Sequence, residues 1–154
     1  MAKIVMEPIG VVRGSRRTVE DDNWAQVVSV LEFDHGQIET DALAGLEEFS
    51  HVEVIFVFDR VDPGTVCRGK RHPRGRADWP EVGILAQRAK DRPNRIGATV
   101  CALRSVGDRS IEVVGLDAVD GTPVLDVKPY MSGFAPRGTV VEPGWARDLM
   151  RDYW

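Results

Sequence analysis

Apolar and polar residues alternate along several short segments of the chain, which is the pattern of β-strands with one buried face. The clearest case is His51–Phe58, in which Val52, Val54 and Phe56 fall on one face and Glu53 on the other. We therefore predict a strand over His51–Phe58 that packs its valine and phenylalanine side chains into a core.

Other segments rich in β-branched and aromatic residues predict further strands over Ile4–Val12, Trp24–Phe33, Val82–Gln87, Ala98–Val106, Ser110–Leu116 and Thr122–Val127. Helix signals are few and predict a short turn at residues 41–46 and a short helix over Gly144–Tyr153. Prolines and glycines interrupt Arg68–Trp79 and Lys90–Gly97, which are predicted as a basic loop and a turn segment. Roughly seven strands with frequent turns indicate an all-β protein, either a barrel or a sandwich.

Composition and length indicate the general class of protein. The chain has 154 residues, 43% of them apolar and 29% charged, which predicts a globular protein. We expect one domain over residues 1–154 without a C-terminal extension. No apolar run is long enough to span a bilayer, and the first residues do not resemble a signal peptide. Two distant cysteines form no disulfide framework, so we predict a cytoplasmic protein with no membrane partner.

The net charge of −4 conceals an uneven distribution along the chain. Residues 1–59 carry 4 Lys and Arg against 12 Asp and Glu, residues 60–109 carry 12 against 5, and residues 110–154 carry 4 against 7. A basic middle segment in an acidic protein fits contact with a defined polyanion. The alternative is that these arginines are solvated or paired with the acidic N-terminal segment.

Standard catalytic motifs are absent. The chain has no GxGxxG before a helix, no P-loop and no GxSxG elbow. Its three histidines have no metal-ligand spacing among themselves or with the cysteines, so no metal site is predicted. Cys101 lies within a strand-like run and is expected to be a buried apolar residue rather than a nucleophile.

Three polar clusters in the second half of the chain are the candidate chemistry. They are Arg71–Gly75, Arg88–Gly97, and the loop Gly115–Val124 with its continuation into residues 125–130. The second joins guanidinium groups to a sharply turned backbone, and the third carries two carboxylates three residues apart. Each has a structural alternative, since an Asp-Gly pair is a common turn and Asp126 with Lys128 could form a surface ion pair.

The residues of these clusters resemble a known family. VGILA at residues 82–86, RPNRIG at 92–97 and LDAVDGTPVLDVKPY at 116–130 are similar to the TsaA/TrmO (YaeB-like) family. PIGVVR at residues 8–13 and LEEFSH at 46–51 fit the same family in the same order, so the resemblance covers most of residues 7–130. It implies a small β-barrel that binds S-adenosylmethionine outside any Rossmann fold.

The resemblance also implies an activity and an assembly. Characterised members methylate the N6 nitrogen of threonylcarbamoyl-adenosine beside the tRNA anticodon. They tend to form homodimers with the cofactor close to the subunit interface. The expectation for this chain is therefore an S-adenosylmethionine-dependent methyltransferase whose partners are tRNA and a second copy of itself.

Candidate roles follow from the resemblance and from the chemistry of S-adenosylmethionine, which needs carboxylates, cations and backbone hydrogen bonds. The expected cofactor-binding residues are Arg88, Arg92, Pro93, Asn94, Ile96, Gly97, Leu116, Asp117, Asp120, Gly121, Thr122, Pro123 and Val124. The expected catalytic residues are Asp126, Lys128 and Tyr130. The expected substrate-binding residues are Arg13, Arg71, His72, Arg74 and Arg95.

The chain departs from the family pattern near the second cluster. Gln87 and Ala89 stand where the family usually has Thr and Ser, and Arg95 stands where it usually has a second proline. Two other functions therefore stay open. The same barrel could methylate a small-molecule acceptor, or it could bind S-adenosylmethionine without catalysis.

Overall fold

Eight β-strands and one short α-helix make up the regular structure of the chain, whose computed structural model describes residues 1–154. The strands are β1 Gly10–Arg13, β2 Val28–Phe33, β3 His51–Val57, β4 Lys70–Arg71, β5 Val82–Gly83, β6 Ile96–Val106, β7 Ser110–Val114 and β8 Pro123–Pro129. The helix α1 covers Gly144–Leu149. No helix is both long enough and apolar enough to cross a membrane.

Six strands close into a barrel in the order β1-β2-β7-β6-β3-β8, with every neighbouring pair antiparallel. The predicted all-β barrel is therefore confirmed. Strands β4 and β5 form a separate two-stranded sheet beside it. That residues 1–154 form one domain stays a prediction.

Alternation of apolar residues in β3 builds the centre of the barrel. Val52, Val54 and Phe56 are at most 1% exposed, whereas His51 is exposed and Glu53 is half-buried on the outer face. The inward positions of the other strands and two residues of the loop after β7, Leu116 and Ala118, complete the core. Its twelve buried residues are Val12, Leu31, Phe33, Val52, Val54, Phe56, Cys101, Ile111, Val113, Leu116, Ala118 and Val124. The strand predicted over residues 51–58 is confirmed.

Several predicted strands are shorter than their apolar runs; the run Trp24–Phe33, for example, is a strand only from Val28. The first predicted strand begins at Gly10 rather than Ile4, because Ile4 and Val5 have no partner strand and remain exposed. The run Val82–Gln87 is a strand for two residues and then a 3-10 turn over Ile84–Ala86. The side chain of Gln87 donates to the carbonyls of Arg71 and Val82, both at 3.0 Å, which bends the chain back.

The helix α1 is also shorter than predicted. It ends at Leu149, and the following residues turn back toward the barrel. There the carbonyls of Asp152 and Tyr153 accept from the backbone N–H groups of Asn23 and Trp24, both at 2.8 Å. These contacts with the segment before β2 give partners to carbonyl groups that a helix over Gly144–Tyr153 would leave unpaired.

Candidate functional site

A large cavity opens on the side of the barrel where β3 and β6 meet; we call it cavity A. Its volume is about 1220 Å³. Residues 85–94 and the first half of β6 form one side, the loop that contains Asp117 another, and residues of 145–154 a third. Six cationic side chains line it: Arg60, Arg71, Arg74, Arg88, Lys90 and Arg92.

The turn Pro93–Arg95 forms part of the rim of cavity A. Asn94 and Arg95 both have left-handed backbone conformations, with φ of 63° and 53°. The turn is held from behind, because Arg95 donates through Nη1 to the carbonyl of Val61 at 2.9 Å and accepts from the N–H of Phe58 at 2.8 Å. The guanidinium of Arg95 is thus engaged away from cavity A.

Gly97 allows β6 to pass close to the core. A Cβ at this position would lie 2.5 Å from the ring of Phe56, which is 1% exposed. A side chain cannot be added here without moving a core aromatic residue. The glycine thus brings the backbone of the rim turn close to the barrel.

Asp117 supplies a carboxylate inside cavity A. Thr99 donates its hydroxyl to Oδ1 of Asp117, and Tyr153 donates its hydroxyl to Oδ2. Thr99 lies on β6 and Tyr153 follows α1, so three distant parts of the chain meet at this carboxylate. Burial, and then the charge of Asp117, raise the pKa of the neighbouring Cys101 thiol to about 12, which keeps it protonated and unreactive.

Asp120 lies three residues after Asp117 but does not line cavity A. Its Oδ1 accepts from the backbone N–H of Gly14 at 2.9 Å, and its carbonyl accepts from Nη2 of Arg60 at 2.7 Å. These contacts tie the Asp120-Gly121 turn to the segment after β1. Asp120 therefore stabilises this turn, and its role in binding the cofactor stays a prediction.

Three arginines of cavity A have no carboxylate partner, namely Arg60, Arg88 and Arg92. Arg88 donates through Nη2 to the carbonyl of Ala98 at 2.6 Å, and Arg92 donates through Nη1 to the carbonyl of Gln87 at 2.6 Å. A guanidinium has five N–H donors, so most donors of each arginine stay free. The cavity thus offers the carboxylate of Asp117, held by two hydroxyl donors, together with arginines that form no ion pair.

The five predicted substrate-binding residues are all engaged by the protein. Four bind carboxylates or carbonyls as follows: Arg13 binds Glu32 at 3.2 Å, Arg71 binds Asp91, Arg74 binds Asp22 at 2.8 Å, and Arg95 binds the carbonyl of Val61. The imidazole Nδ1 of His72 lies 2.7 Å from the carbonyl of Trp79. Part of the basic middle segment is thus paired with the acidic N-terminal segment, as the alternative prediction has it.

Asp126, Lys128 and Tyr130 lie on or after β8, outside the lining of cavity A. Lys128 donates to the carboxylate of Asp126 and is in register with Glu53 of β3, which does line cavity A. Asp126 lines a second cavity of about 550 Å³, which we call cavity B.

The predicted cofactor-binding residues divide between cavity A and the core. Those that line cavity A are Arg88, Arg92, Pro93, Asn94, Ile96, Gly97, Asp117 and Thr122. Leu116 and Val124 are fully buried in the barrel core. Asp120, Gly121 and Pro123 belong to the turn and to the start of β8.

Sequence reasoning did not identify several residues of cavity A, namely Glu53, Thr99, Trp145, Tyr153 and Trp154. Glu53 had a detectable signal, because it interrupts the apolar run of β3 on the outward face. Tyr153 had none, since its contact with Asp117 depends on the path of the chain after α1.

The fold and cavity A define a class: a small closed antiparallel barrel with a polar cavity at its side, where β3 and β6 meet. Residues 20–135 match the family described as tRNA-methyltransferase O N-terminal domain. The chain belongs to this family.

Individual relatives agree with the family match. The chain is 39% identical over 102 residues to a human tRNA (adenine(37)-N6)-methyltransferase, covering 66% of this chain and 23% of that protein. It is 35% identical over 136 residues to a probable S-adenosyl-L-methionine-binding protein of Methanothermobacter thermautotrophicus, covering 83% of this chain and 90% of that protein. The crystal structure of TrmO from Pseudomonas aeruginosa has a TM-score of 0.74 at 29% identity, covering 94% of this chain and 63% of that one.

Proposed function

We propose that this protein is an S-adenosylmethionine-dependent methyltransferase that methylates the N6 nitrogen of threonylcarbamoyl-adenosine next to the tRNA anticodon. The main structural support is that Asp117 shares cavity A with Arg88 and Arg92, which have no carboxylate partner. The names of the human relative and of the archaeal S-adenosyl-L-methionine-binding relative support the same proposal.

The donor set of cavity A suits S-adenosylmethionine, which supplies an electrophilic methyl group on a sulfonium when bound. Asp117 would accept from its ammonium or ribose hydroxyls, and Arg88 or Arg92 would bind its carboxylate. Backbone groups of Pro93–Gly97 would meet the adenine. A volume of about 1220 Å³ exceeds the roughly 300–1,000 Å³ of drug-sized ligand pockets, so space remains for an acceptor.

The chemistry demands alignment and removal of one proton. The N6 nitrogen of adenine is a weak nucleophile because its lone pair is delocalised, so an acceptor for its proton helps the transfer. We propose Asp126 or Tyr130 for this proton and Lys128 for the acidic group of the acceptor. All three lie outside the lining of cavity A, so the acceptor would have to extend past Glu53 onto β8. Glu53 joins these candidates, because it is the carboxylate of cavity A that faces Lys128 across the β3–β8 pair.

We propose that tRNA binds across the mouth of cavity A. Whichever of Arg88 and Arg92 does not bind the cofactor carboxylate is free for a phosphate. The expected substrate-binding residues Arg13, Arg71, His72, Arg74 and Arg95 would reach phosphates by exchanging their present partners. A tRNA substrate is consistent with a cytoplasmic protein, which we also propose.

A homodimer is the proposed assembly. Leu85 is 80% exposed and Val100 is 42% exposed, and both line cavity A. Exposed apolar side chains beside a polar cavity are typical of a protein interface. A second copy covering them would place the cofactor near the subunit boundary. Sedimentation of the protein and of Leu85→Glu tests this, because a monomer in both samples contradicts the dimer.

Calorimetric titration with S-adenosylmethionine, with S-adenosylhomocysteine in parallel, is the first test of the activity. We expect saturable binding, followed by methyl transfer to tRNA that carries the threonylcarbamoyl group and none to tRNA that lacks it. Affinity for tRNA should fall steeply with salt if several phosphates are contacted. Methyl transfer to a small molecule alone, or cofactor binding without transfer to any acceptor, contradicts the proposal in favour of the two other functions.

A further inference from the structure

The segment 144–154 forms a wall of cavity A although it lies beyond the residues matched by the family. Trp145, Leu149, Met150, Tyr153 and Trp154 line the cavity from this side. The rings of Tyr153 and Trp154 meet edge to face with their centroids 4.9 Å apart. The wall is therefore aromatic and apolar on a cavity whose other sides carry charge.

This wall is fixed to the barrel by the backbone. The N–H of Asn23 donates to the carbonyl of Asp152 and the N–H of Trp24 donates to the carbonyl of Tyr153, both at 2.8 Å. Trp24 is 2% exposed, and the guanidinium of Arg16 lies 4.5 Å from the centre of its ring. The attachment point is thus itself buried and packed.

Two further contacts, both made by Asp22, stabilise the segment that binds this wall. Asp22 pairs with Arg74 at 2.8 Å, and its carbonyl accepts from Nη1 of Arg16 at 2.7 Å. The segment Asp22–Trp24, to which the wall is hydrogen-bonded, is therefore also connected to Arg74 of cavity A through a charge-assisted contact. This is the arrangement of a preformed wall.

Tyr153 aims its hydroxyl at Asp117 from this wall. The hydroxyl donates to Oδ2, and the Thr99 hydroxyl donates to Oδ1, so each carboxylate oxygen has one fixed donor. Each oxygen keeps further acceptor capacity for a ligand. Burial, and then the charge of Asp117, raise the pKa of Tyr153, so the phenol stays protonated and keeps donating throughout the physiological range.

We propose that Tyr153 is a positioning residue that acts through Asp117: it holds the carboxylate in the orientation that binds S-adenosylmethionine. The inference rests on the proposed function. A carboxylate that is already oriented loses less conformational freedom on binding, so the cofactor is held more tightly. Tyr153 itself donates to Asp117 and needs no contact with the cofactor.

A double-mutant cycle tests this role. Tyr153→Phe removes the hydroxyl and keeps the ring, and we expect the Kd for S-adenosylmethionine to rise roughly 3- to 10-fold, the size of one hydrogen bond. In the Asp117→Ala background the same change should alter Kd by less than about 2-fold, because the partner is gone. An equal factor in both backgrounds overturns the proposal, and so does tighter binding by Tyr153→Phe, which would make the phenol a competitor of the cofactor.

Thr99 provides a matched pair of variants. Thr99→Val removes the other donor at nearly constant volume and should weaken binding in the same way as Tyr153→Phe, whereas Thr99→Ser keeps the hydroxyl and should restore it. Thermal unfolding of each variant separates loss of fold from loss of orientation. Equal losses of affinity in Thr99→Val and Thr99→Ser would contradict a role for donors at Asp117.

A spectroscopic readout keeps this proposal distinct from the proposed function. The chain has two tyrosines, so selective 13C labelling at the phenol carbon gives two resonances, and Tyr153→Phe assigns one of them. We expect Asp117→Ala to shift the Tyr153 resonance without any cofactor, and S-adenosylmethionine to shift it in the unmodified protein. A folded protein that binds no S-adenosylmethionine overturns both proposals, whereas binding with an additive cycle overturns only the role of Tyr153.

Discussion

Cavities A and B lie on the same barrel but have opposite chemistry. Cavity A is lined by six cations and by carboxylates that include Asp117. Cavity B is lined mainly by apolar side chains such as Phe33 and Leu43, and its charged residues are two acidic ones, Glu48 and Asp126. One cavity can bind a zwitterionic ligand, whereas the other continues the apolar packing of the core.

The backbone differs between the two cavities as well. Arg74 and Asn94, which line cavity A, have left-handed conformations that are uncommon for residues other than glycine. In the lining of cavity B the one residue with positive φ is a glycine, Gly45. Unfavourable backbone conformations concentrate at functional sites because the surrounding contacts hold them there. The contrast favours cavity A as the functional site.

The largest effect on stability is expected when Arg95, in the turn at the rim of cavity A, is changed to proline. A proline has φ near −65° and no N–H, whereas Arg95 has φ of 53° and donates its N–H to the carbonyl of Arg92 at 3.0 Å. We expect Arg95→Pro to lower the free energy of unfolding by about 3 kcal/mol. Thermal unfolding should fall by roughly 6–12 °C for a chain of this length.

Arg95→Ala is the matched control for this change. It removes the guanidinium bond to Val61, which costs about 1 kcal/mol, and keeps both the backbone N–H and a residue that can adopt this φ. The difference between the two variants isolates the backbone. Equal melting temperatures for Arg95→Pro and the unmodified protein would show that the turn at the rim of cavity A has no conformational requirement.

Removing one carboxylate from each cavity shows which cavity binds the cofactor. Asp117→Ala should weaken S-adenosylmethionine binding roughly 10- to 100-fold, because a hydrogen bond or ion pair to a charged group is lost. Asp126→Ala should leave the Kd for S-adenosylmethionine within about 2-fold of the unmodified value, since Asp126 lines the other cavity. Calorimetric titration measures both, and the reverse ranking would move the cofactor to cavity B.

Leu43 tests whether the apolar lining of cavity B contributes to packing rather than to cofactor binding. Its side chain lines cavity B and packs against the buried core. Leu43→Ala should lower the free energy of unfolding by about 1–2 kcal/mol, less than for a fully buried leucine, without changing cofactor affinity. Ile4→Ala removes the same number of carbon atoms from a side chain that is 81% exposed and lines neither cavity, and it should stay within about 0.5 kcal/mol. Weaker cofactor binding by Leu43→Ala would contradict the separation of the two cavities.

The barrel was predictable because alternation is a local signal. In β3 the inward residues Val52, Val54 and Phe56 can be assigned from spacing alone, and the structure confirms them. The site was predictable only in part, because its residues meet through tertiary contacts. Asp117 and Asp120 are equally plausible ligands in the sequence, but the path of the chain after β1 delivers a backbone donor, Gly14, to Asp120.

The wall of cavity A formed by residues 144–154 could not be predicted from the sequence. A helical pattern over Gly144–Tyr153 predicts continued helix, and nothing in that pattern indicates that the chain unwinds after Leu149. After Leu149 the backbone instead pairs with Asn23 and Trp24, which lie about 130 residues earlier in the chain. Pairing over such a separation has no local signature, so Tyr153 could not be assigned to the site from sequence.

The smallest expected effect concerns the pH dependence of stability at the edge of cavity A. Partial burial alone would raise the pKa of Asp91, but the hydrogen bond and charge of Arg71 outweigh it and lower this pKa below its ordinary value of 3.8. A carboxylate with a lowered folded-state pKa contributes stability above pH 3.8 and loses that contribution as the pH falls through the lowered pKa. Asp91→Asn removes the contribution.

The difference in unfolding free energy between the unmodified protein and Asp91→Asn should therefore be constant near neutral pH and should shrink as the pH falls below about 4. Denaturant unfolding from pH 7 to pH 3 measures it. The matched pair at Arg76 and Asp78 is more exposed, with side chains 53% and 60% accessible, so Asp78→Asn should show a smaller difference at every pH. A difference for Asp91→Asn that grows as the pH falls would mean that Arg71 does not hold this carboxylate in its charged form.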